Sequence, residues 1–484
     1  MAVSATSSGS KSTIKIVANI FISFIGAGVL GLPFAFKEAG VIEGILVMSA
    51  VGLVSVKAML LIIDCKYKLI KKHQLSPTHK KDPGGSDKKL IIDVTTERGT
   101  GEEKCDLLRE QNGTVKEDPM IPEAPGQELS YGDVGFYAIG KSGRLLVDVA
   151  ILVSQVGFCC AYLIFILENL SDYIKGVPLW GWLLILLPPL YLLTLLRHLS
   201  SLAISSLFAQ CSNLMAFGVV FWFDLEHLYK VEVHPKSMSI YGLPFFLAVG
   251  IYCYEGAGMI LSLESSMAKE IRHRFKWLFM STMVIVTLLY ISFGVFGYLS
   301  FGPETNAIIT LNLPKGSSLD FAIMVKSCLC LSLFFTYPVM MFPVMRILER
   351  KLSMDPNKRW PGNVLRFLMV SLTGMIVMVI PNFANLMALI GASCCTLLAF
   401  ILPGLFHMFI YRGTLTKWQW FVDVFLILMG VVGTIIGMLD TFRRLQVQGY
   451  SAHDERIIAQ NISHIMMTST STMPATTLIV PTTQ

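Results

Sequence analysis

Apolar residues in this chain are gathered into blocks of about 20, the length at which a helix crosses ~30 Å of hydrocarbon. In lipid a backbone must satisfy its own hydrogen bonds, and a helix does so within one segment. The blocks therefore predict an all-α integral membrane protein. Of the 484 residues, 54% are hydrophobic and 15% are charged. Soluble proteins carry about 25% charged residues, so this chain has too little charge to coat a globule of its size. A soluble enzyme, a nucleic-acid module and a secreted disulfide scaffold are all excluded on these grounds. The net charge of +6 reflects where the loops sit and does not point to nucleic acid.

Eleven transmembrane helices are expected, near 14–36, 43–65, 145–171, 179–197, 202–223, 241–263, 277–300, 319–343, 364–381, 384–410 and 418–440. Lys and Arg set the orientation, because cytoplasmic loops hold an excess of them. With the N-terminus cytoplasmic, 29 of the 39 fall on that side and eight on the far side. The organisation is then a short cytoplasmic N-terminus (1–13), two spans (14–65), a cytoplasmic loop (66–143), nine spans (144–440) and a far-side tail (441–484).

The 66–143 loop mixes charges, has few aromatics and cannot bury a core, so it reads as disordered. Within it, Glu103 with Leu107 and Leu108 forms an acidic dileucine pattern of the kind sorting adaptors read. Tyr67-Lys-Leu-Ile70 fits a tyrosine-based signal, placed close to the bilayer. The tail is rich in Ser and Thr and also reads as disordered. It holds Asn461, the expected glycosylation acceptor, since the Asn112 triplet falls in the cytoplasm and that of Asn169 lies close to the membrane.

Two spans are interrupted. The first contains Gly26-Ala27-Gly28-Val29-Leu30-Gly31-Leu32-Pro33, and three glycines and a proline weaken a helix. The sixth contains Tyr252-Cys253-Tyr254-Glu255-Gly256-Ala257-Gly258, with Pro244 ahead of it. Broken backbone at membrane depth is tolerated where it lines a cavity. The breaks lie five spans apart, with glycine and proline in mirror order, which suits two inverted five-helix repeats. A half-helix N-terminus suits a carboxylate, and unwound carbonyls suit an ammonium or a cation. One site with both poles suits an amino acid.

At these residues the sequence resembles a known family. Asn19 to Pro33 is similar to the first helix of the amino acid/auxin permease family. Ser154-Gln155-Val156-Gly157 through Tyr162 and Phe165 resembles its third helix, and Tyr254 to Glu264 its sixth. Phe296 to Gly302, and Tyr337-Pro338 with Phe342-Pro343, resemble its seventh and eighth. The branch resembled most is the proton-coupled amino acid transporters and their vacuolar and lysosomal relatives. The resemblance implies a leucine-transporter-type 5+5 inverted repeat with broken helices 1 and 6. It implies symport of neutral amino acids by alternating access, in a lysosomal, endosomal or vacuolar membrane, the plasma membrane being the alternative. The substrate carboxylate would lie on the backbone at Gly26, Ala27, Gly28, Val29 and Gly31. Its amine would meet carbonyls at Tyr252, Cys253 and Tyr254, with Tyr162 closing the pocket. Animal proton-coupled members carry His where Asn19 stands; sodium-coupled and vacuolar relatives carry Asn. Both ions stay open as co-transported partners, and no resident cofactor or metal is expected.

Five charged residues and one histidine within or beside the spans bear on coupling. Glu255, at the sixth break, is the candidate proton carrier, because intramembrane carboxylates are paired, protonated or functional. Glu264 is expected to pair with Arg272 or Arg274, or to gate. Lys57 and Asp64 share a helix face and are expected to pair or snorkel. Lys326 is expected to snorkel or to stand in for a cation, and His407 to be packed and satisfied. A rival function is an amino-acid sensor that signals through the 66–143 loop. No nucleophile–base pair or metal cluster lies near the breaks, so an enzyme is not expected.

Overall fold

The computed structural model describes residues 12–75, 129–174, 176–196, 212, 214–215, 217–223, 225–226, 236, 238–313, 321–354 and 359–470. Among these residues the regular structure is helical throughout. Seven helices are long and apolar enough to cross a membrane, and an eighth span forms if the bent first pair counts as one. The expected eleven is therefore not reached by length and composition. Leu179–Thr194 has 16 residues and the sixth span is divided. Of the fifth, at 202–223, only part is described.

The first span breaks as its glycines dictate. Thr13–Phe24 ends, Ile25 and Gly26 run extended, a tight turn covers Ala27–Gly31, and Leu32–Ala39 resumes at 48° to the first half. Pro33 sits in the first turn of the second half, where no intrahelical N–H is required. Gly40, at φ 97°, ends it. In the sixth span Leu243–Cys253 stops at Tyr254 and the helix resumes at Ile260–Ser265. The tenth, Phe383–Ile410, widens into π turns at Gly391–Cys395 and Leu397–Ile401. There Thr396 Oγ1 donates to the Gly391 carbonyl at 2.6 Å.

Three boundaries differ from the sequence expectation. The second helix runs Val41–Leu75, ten residues past 65. Its Lys-rich end is made of good helix formers, and Lys66 and Tyr67 are held by Glu264. Part of the expected 66–143 loop is a helix, Tyr131–Ile139, followed by Lys141–Tyr173. Ser130 and Asp133 form a reciprocal capping box at its start. Gly140, at φ 73°, makes the corner, and a Cβ on Gly143 would stand 2.7 Å from the Gly135 carbonyl carbon. The two helices thus dock backbone against backbone. The last helix, Lys417–Thr470, continues well past 440. Arg444 braces its onward turn, reaching Asp440 at 2.8 Å and Glu38 at 2.9 Å. Asn461 falls on this helix rather than on a disordered tail. Glu103, Leu107 and Leu108 lie outside the described residues.

Candidate functional site

Both breaks open onto one cavity of about 670 Å³, within the range of roughly 300–1,000 Å³ typical of small-molecule sites. Gly26, Ala27, Gly28 and Val29 line it from the first span; Tyr252, Cys253 and Glu255 line it from the sixth. Tyr162 closes it from the Lys141–Tyr173 helix and is buried. A side chain on Gly26 would meet nothing within 4 Å, so its backbone faces open space. At the other end the cavity reaches Ser130, Asp148, Arg346 and Arg350. Arg350 pairs with both oxygens of the buried Asp148 at 3.3 Å.

Glu255 lines the cavity, and among the described residues no cation pairs with it. Its carboxylate lies against the backbone N–H groups of Gly258 and Ala257, and Oε2 has no hydrogen-bond donor. It therefore sits within the break, on amide groups that the interrupted helix leaves free.

Two expected substrate contacts lie elsewhere. Gly31 is buried away from the cavity, where a Cβ would come within 3.3 Å of Met387 Sδ and Phe383. Tyr254, expected to offer its carbonyl, is not among the residues lining the cavity, and its hydroxyl donates to Thr287 Oγ1 at 2.7 Å on the Phe275–Phe301 helix. Asn19 is exposed and outside the cavity, its carbonyl accepting from Ser23 at 2.6 Å.

Glu264 is fully buried outside the cavity. It accepts from Lys66 Nζ at 2.6 Å and from the Tyr67 hydroxyl at 2.6 Å, and pairs with Arg272 at 3.4 Å. The carboxylate thus joins the second span, the sixth, and the turn before the Phe275–Phe301 helix. Tyr67-Lys-Leu-Ile70 is helical and its phenol is held, so it is not an extended sorting peptide. The Lys57–Asp64 pair does not form: Asp64 pairs with Lys276, and Lys57 is exposed. Lys326 does not snorkel to water. It is buried, pairs with Asp172 at 2.9 Å and lies 4.9 Å from the Tyr173 ring centre. His407 is buried and bonded to Asp423 at 2.7 Å.

Among the cavity residues not singled out in the sequence as site residues, three bear on its chemistry. Phe158 packs edge-on against Tyr252, with ring centres 4.9 Å apart. Gln155 lines the cavity with an Oε1 that has no donor. Its signal was available, as a polar pair with Ser154 inside an apolar span. Tyr290 lines the cavity from the Phe275–Phe301 helix, and nothing in its apolar surroundings marks it.

Comparison with known proteins agrees with this geometry. Residues 9–80 and 120–443 match the family described as transmembrane amino acid transporter protein. Amino acid transporter AVT3C of Arabidopsis thaliana is 32% identical over 88% of this chain and 89% of its own length. Vacuolar amino acid transporter 3 of Schizosaccharomyces pombe is 24% identical over 90% of this chain and 58% of its own. A solved Na+-coupled sialic acid symporter aligns over 90% of this chain and 96% of its own, at 8% identity and a TM-score of 0.42. A multi-pass membrane protein whose two helix breaks share one cavity, and whose sequence matches over most of its length, this chain belongs to the transmembrane amino acid transporter family, a family of carriers and not of enzymes.

Proposed function

We propose that this chain is a secondary active transporter of neutral amino acids, driven by protons, working by alternating access. The observation that carries the reading is the cavity bounded by both helix breaks with Glu255 on its wall. The extended backbone at Gly26 and the tight turn at Ala27–Gly31 offer amide groups to a carboxylate. Aromatic and small side chains at Phe158, Tyr162 and Cys253 surround the space left for an uncharged substrate side chain. Glu255 is the acid that would carry the proton, since among the described residues no cation pairs with it to hold its charge. Asn19, exposed and outside the cavity, does not favour the sodium alternative.

The architecture that goes with this reading is eleven spans in a leucine-transporter-type 5+5 repeat, with the N-terminus cytoplasmic. The names of the fungal relatives favour a vacuolar or lysosomal membrane. In such a membrane, this orientation exports amino acids from an acidic lumen down the proton gradient. Glu103, Leu107 and Leu108 would serve sorting, and Asn461 glycosylation on the lumenal side.

The test is uptake of labelled alanine, proline, leucine and glutamine into proteoliposomes under a pH gradient, a sodium gradient, or neither. Uptake should follow the pH gradient. Glu255→Gln should abolish pH-driven accumulation yet keep exchange of labelled for unlabelled substrate, because binding remains while proton carriage is lost. Sodium-driven uptake, or pH-driven accumulation that survives Glu255→Gln, would remove the proposed coupling. Binding without flux under every gradient would support a sensor.

A further inference from the structure

Each helix break leaves a terminal carbonyl that a continuous helix would have used. Phe24 is the last residue of Thr13–Phe24, and Cys253 the last of Leu243–Cys253. Unwound carbonyls and half-helix C-termini of this kind coordinate cations in transporters whose broken helices meet at the membrane midplane. Here one side chain reaches both. The Tyr290 hydroxyl donates to the Phe24 carbonyl at 2.5 Å and lies 3.2 Å from the Cys253 carbonyl. Its ring is fully buried on the Phe275–Phe301 helix, with its centre 5.4 Å from that of Tyr254.

We propose that the Tyr290 hydroxyl takes, between the two breaks, the place a coupling cation would take, tying the half-helices together so that no Na+ is needed at this junction. The inference rests on the transporter reading and narrows its ion dependence. A phenol brings a donor without a net charge, so the two carbonyls are satisfied without drawing an ion from water. It has one proton to give, shared unequally between two oxygens. The stronger bond goes to Phe24 and the weaker to Cys253. The arrangement links the breaks while leaving the bond free to shift toward either half-helix as they move. It takes up one lone pair of the Cys253 carbonyl and leaves the other for a substrate ammonium. Tyr290 acts here through the backbone of the breaks and is a positioning residue.

The experiment measures amide hydrogen exchange over 25–31 and 254–259 in the full chain in lipid nanodiscs, beside uptake in proteoliposomes. Tyr290→Phe removes the hydroxyl and keeps the ring. Exchange should rise at least tenfold in both segments together, while Thr287→Val, which removes the neighbouring bonds to Tyr254 and to the Met283 carbonyl, leaves 25–31 at the wild-type rate. Wild-type uptake under a pH gradient should be equal in sodium and in choline chloride. Unchanged exchange at either segment in Tyr290→Phe, or saturable sodium stimulation of the wild type, would overturn the proposal. If the wild type moves no amino acid, the transporter reading fails, and the exchange data still decide the tie. Should Tyr290→Phe not fold, the wild type decides: exchange at both segments that ignores replacement of choline by sodium supports the tie, and sodium-induced protection overturns it.

Discussion

Gly28 lies where the cavity wall of the first span meets that of the sixth. A Cβ there would stand 3.0 Å from Cys253 Sγ and 3.1 Å from the Tyr252 ring, which is in T-shaped contact with Phe158. The added methyl would therefore crowd Cys253 and Tyr252 on the cavity wall, and one or both must shift by a few tenths of an ångström. One methyl group in an apolar pocket is worth about 1–3 kcal/mol of discrimination. Gly28→Ala should lower leucine uptake about tenfold or more relative to alanine uptake, read as the ratio of their kcat/KM values. An unchanged ratio would mean that substrate side chains do not approach Gly28. Sequence reasoning reached this residue because glycine in an apolar span is itself a signal. It did not reach Tyr290, since a tyrosine in an apolar helix reads alike whether it packs or donates, and its two acceptors lie 266 and 37 residues away.

At the scale of elements, composition and spacing marked the helix breaks, and tertiary contacts decided the rest. Glycine and proline weaken a helix locally, so the breaks at 25–31 and 254–259 could be placed from sequence. The continuation of the second helix to Leu75 could not, because its polar end is anchored by Glu264, nearly 200 residues away. The Tyr131–Ile139 helix was hidden for a similar reason. Its capping box is short and lies beside a polar stretch. Glu264 holds Lys66, Tyr67 and Arg272 with no exposure of its own, and Lys66 is almost as buried. Removing one partner of a buried ion pair costs about 3–5 kcal/mol, because the other charge stays in low dielectric. Glu264→Ala should lower the melting temperature in detergent clearly more than Glu264→Gln, which keeps an acceptor for Tyr67. Pairing Glu264→Leu with Lys66→Met should recover much of the loss. Equal melting of all three variants would mean that the cluster does not brace the second and sixth spans.

At the scale of the whole molecule, the cavity opens at one end and is shut at the other. Its mouth is marked by Ser130, Arg346 and Arg350, all exposed, at the end the proposed orientation assigns to the cytoplasm. The opposite end is crossed by polar ties. Lys326 pairs with Asp172, Arg444 with Glu38, Lys37 donates to the Thr305 carbonyl at 3.0 Å, and Thr310 donates to Asn169 at 2.9 Å. With the proposed orientation and mechanism, these contacts would hold an inward-open form, and alternating access would require them to part. The Lys326–Asp172 pair is the most buried of the ion pairs among them, so losing it should shift the resting population most. Cys253 reports the change, since its thiol lines the cavity between the two ends. In sealed vesicles of wild type, a membrane-impermeant maleimide should modify Cys253 from the Arg346 side only, with bound amino acid slowing the reaction. Asp172→Asn keeps the shape of the partner and removes its charge. It should let Cys253 react from the opposite side as well and lower its reactivity from the Arg346 side, as mass spectrometry of the labelled peptide would show. Labelling that stays one-sided in Asp172→Asn would mean that the far side is closed by packing alone, and the polar ties would then be consequences of closure rather than its cause.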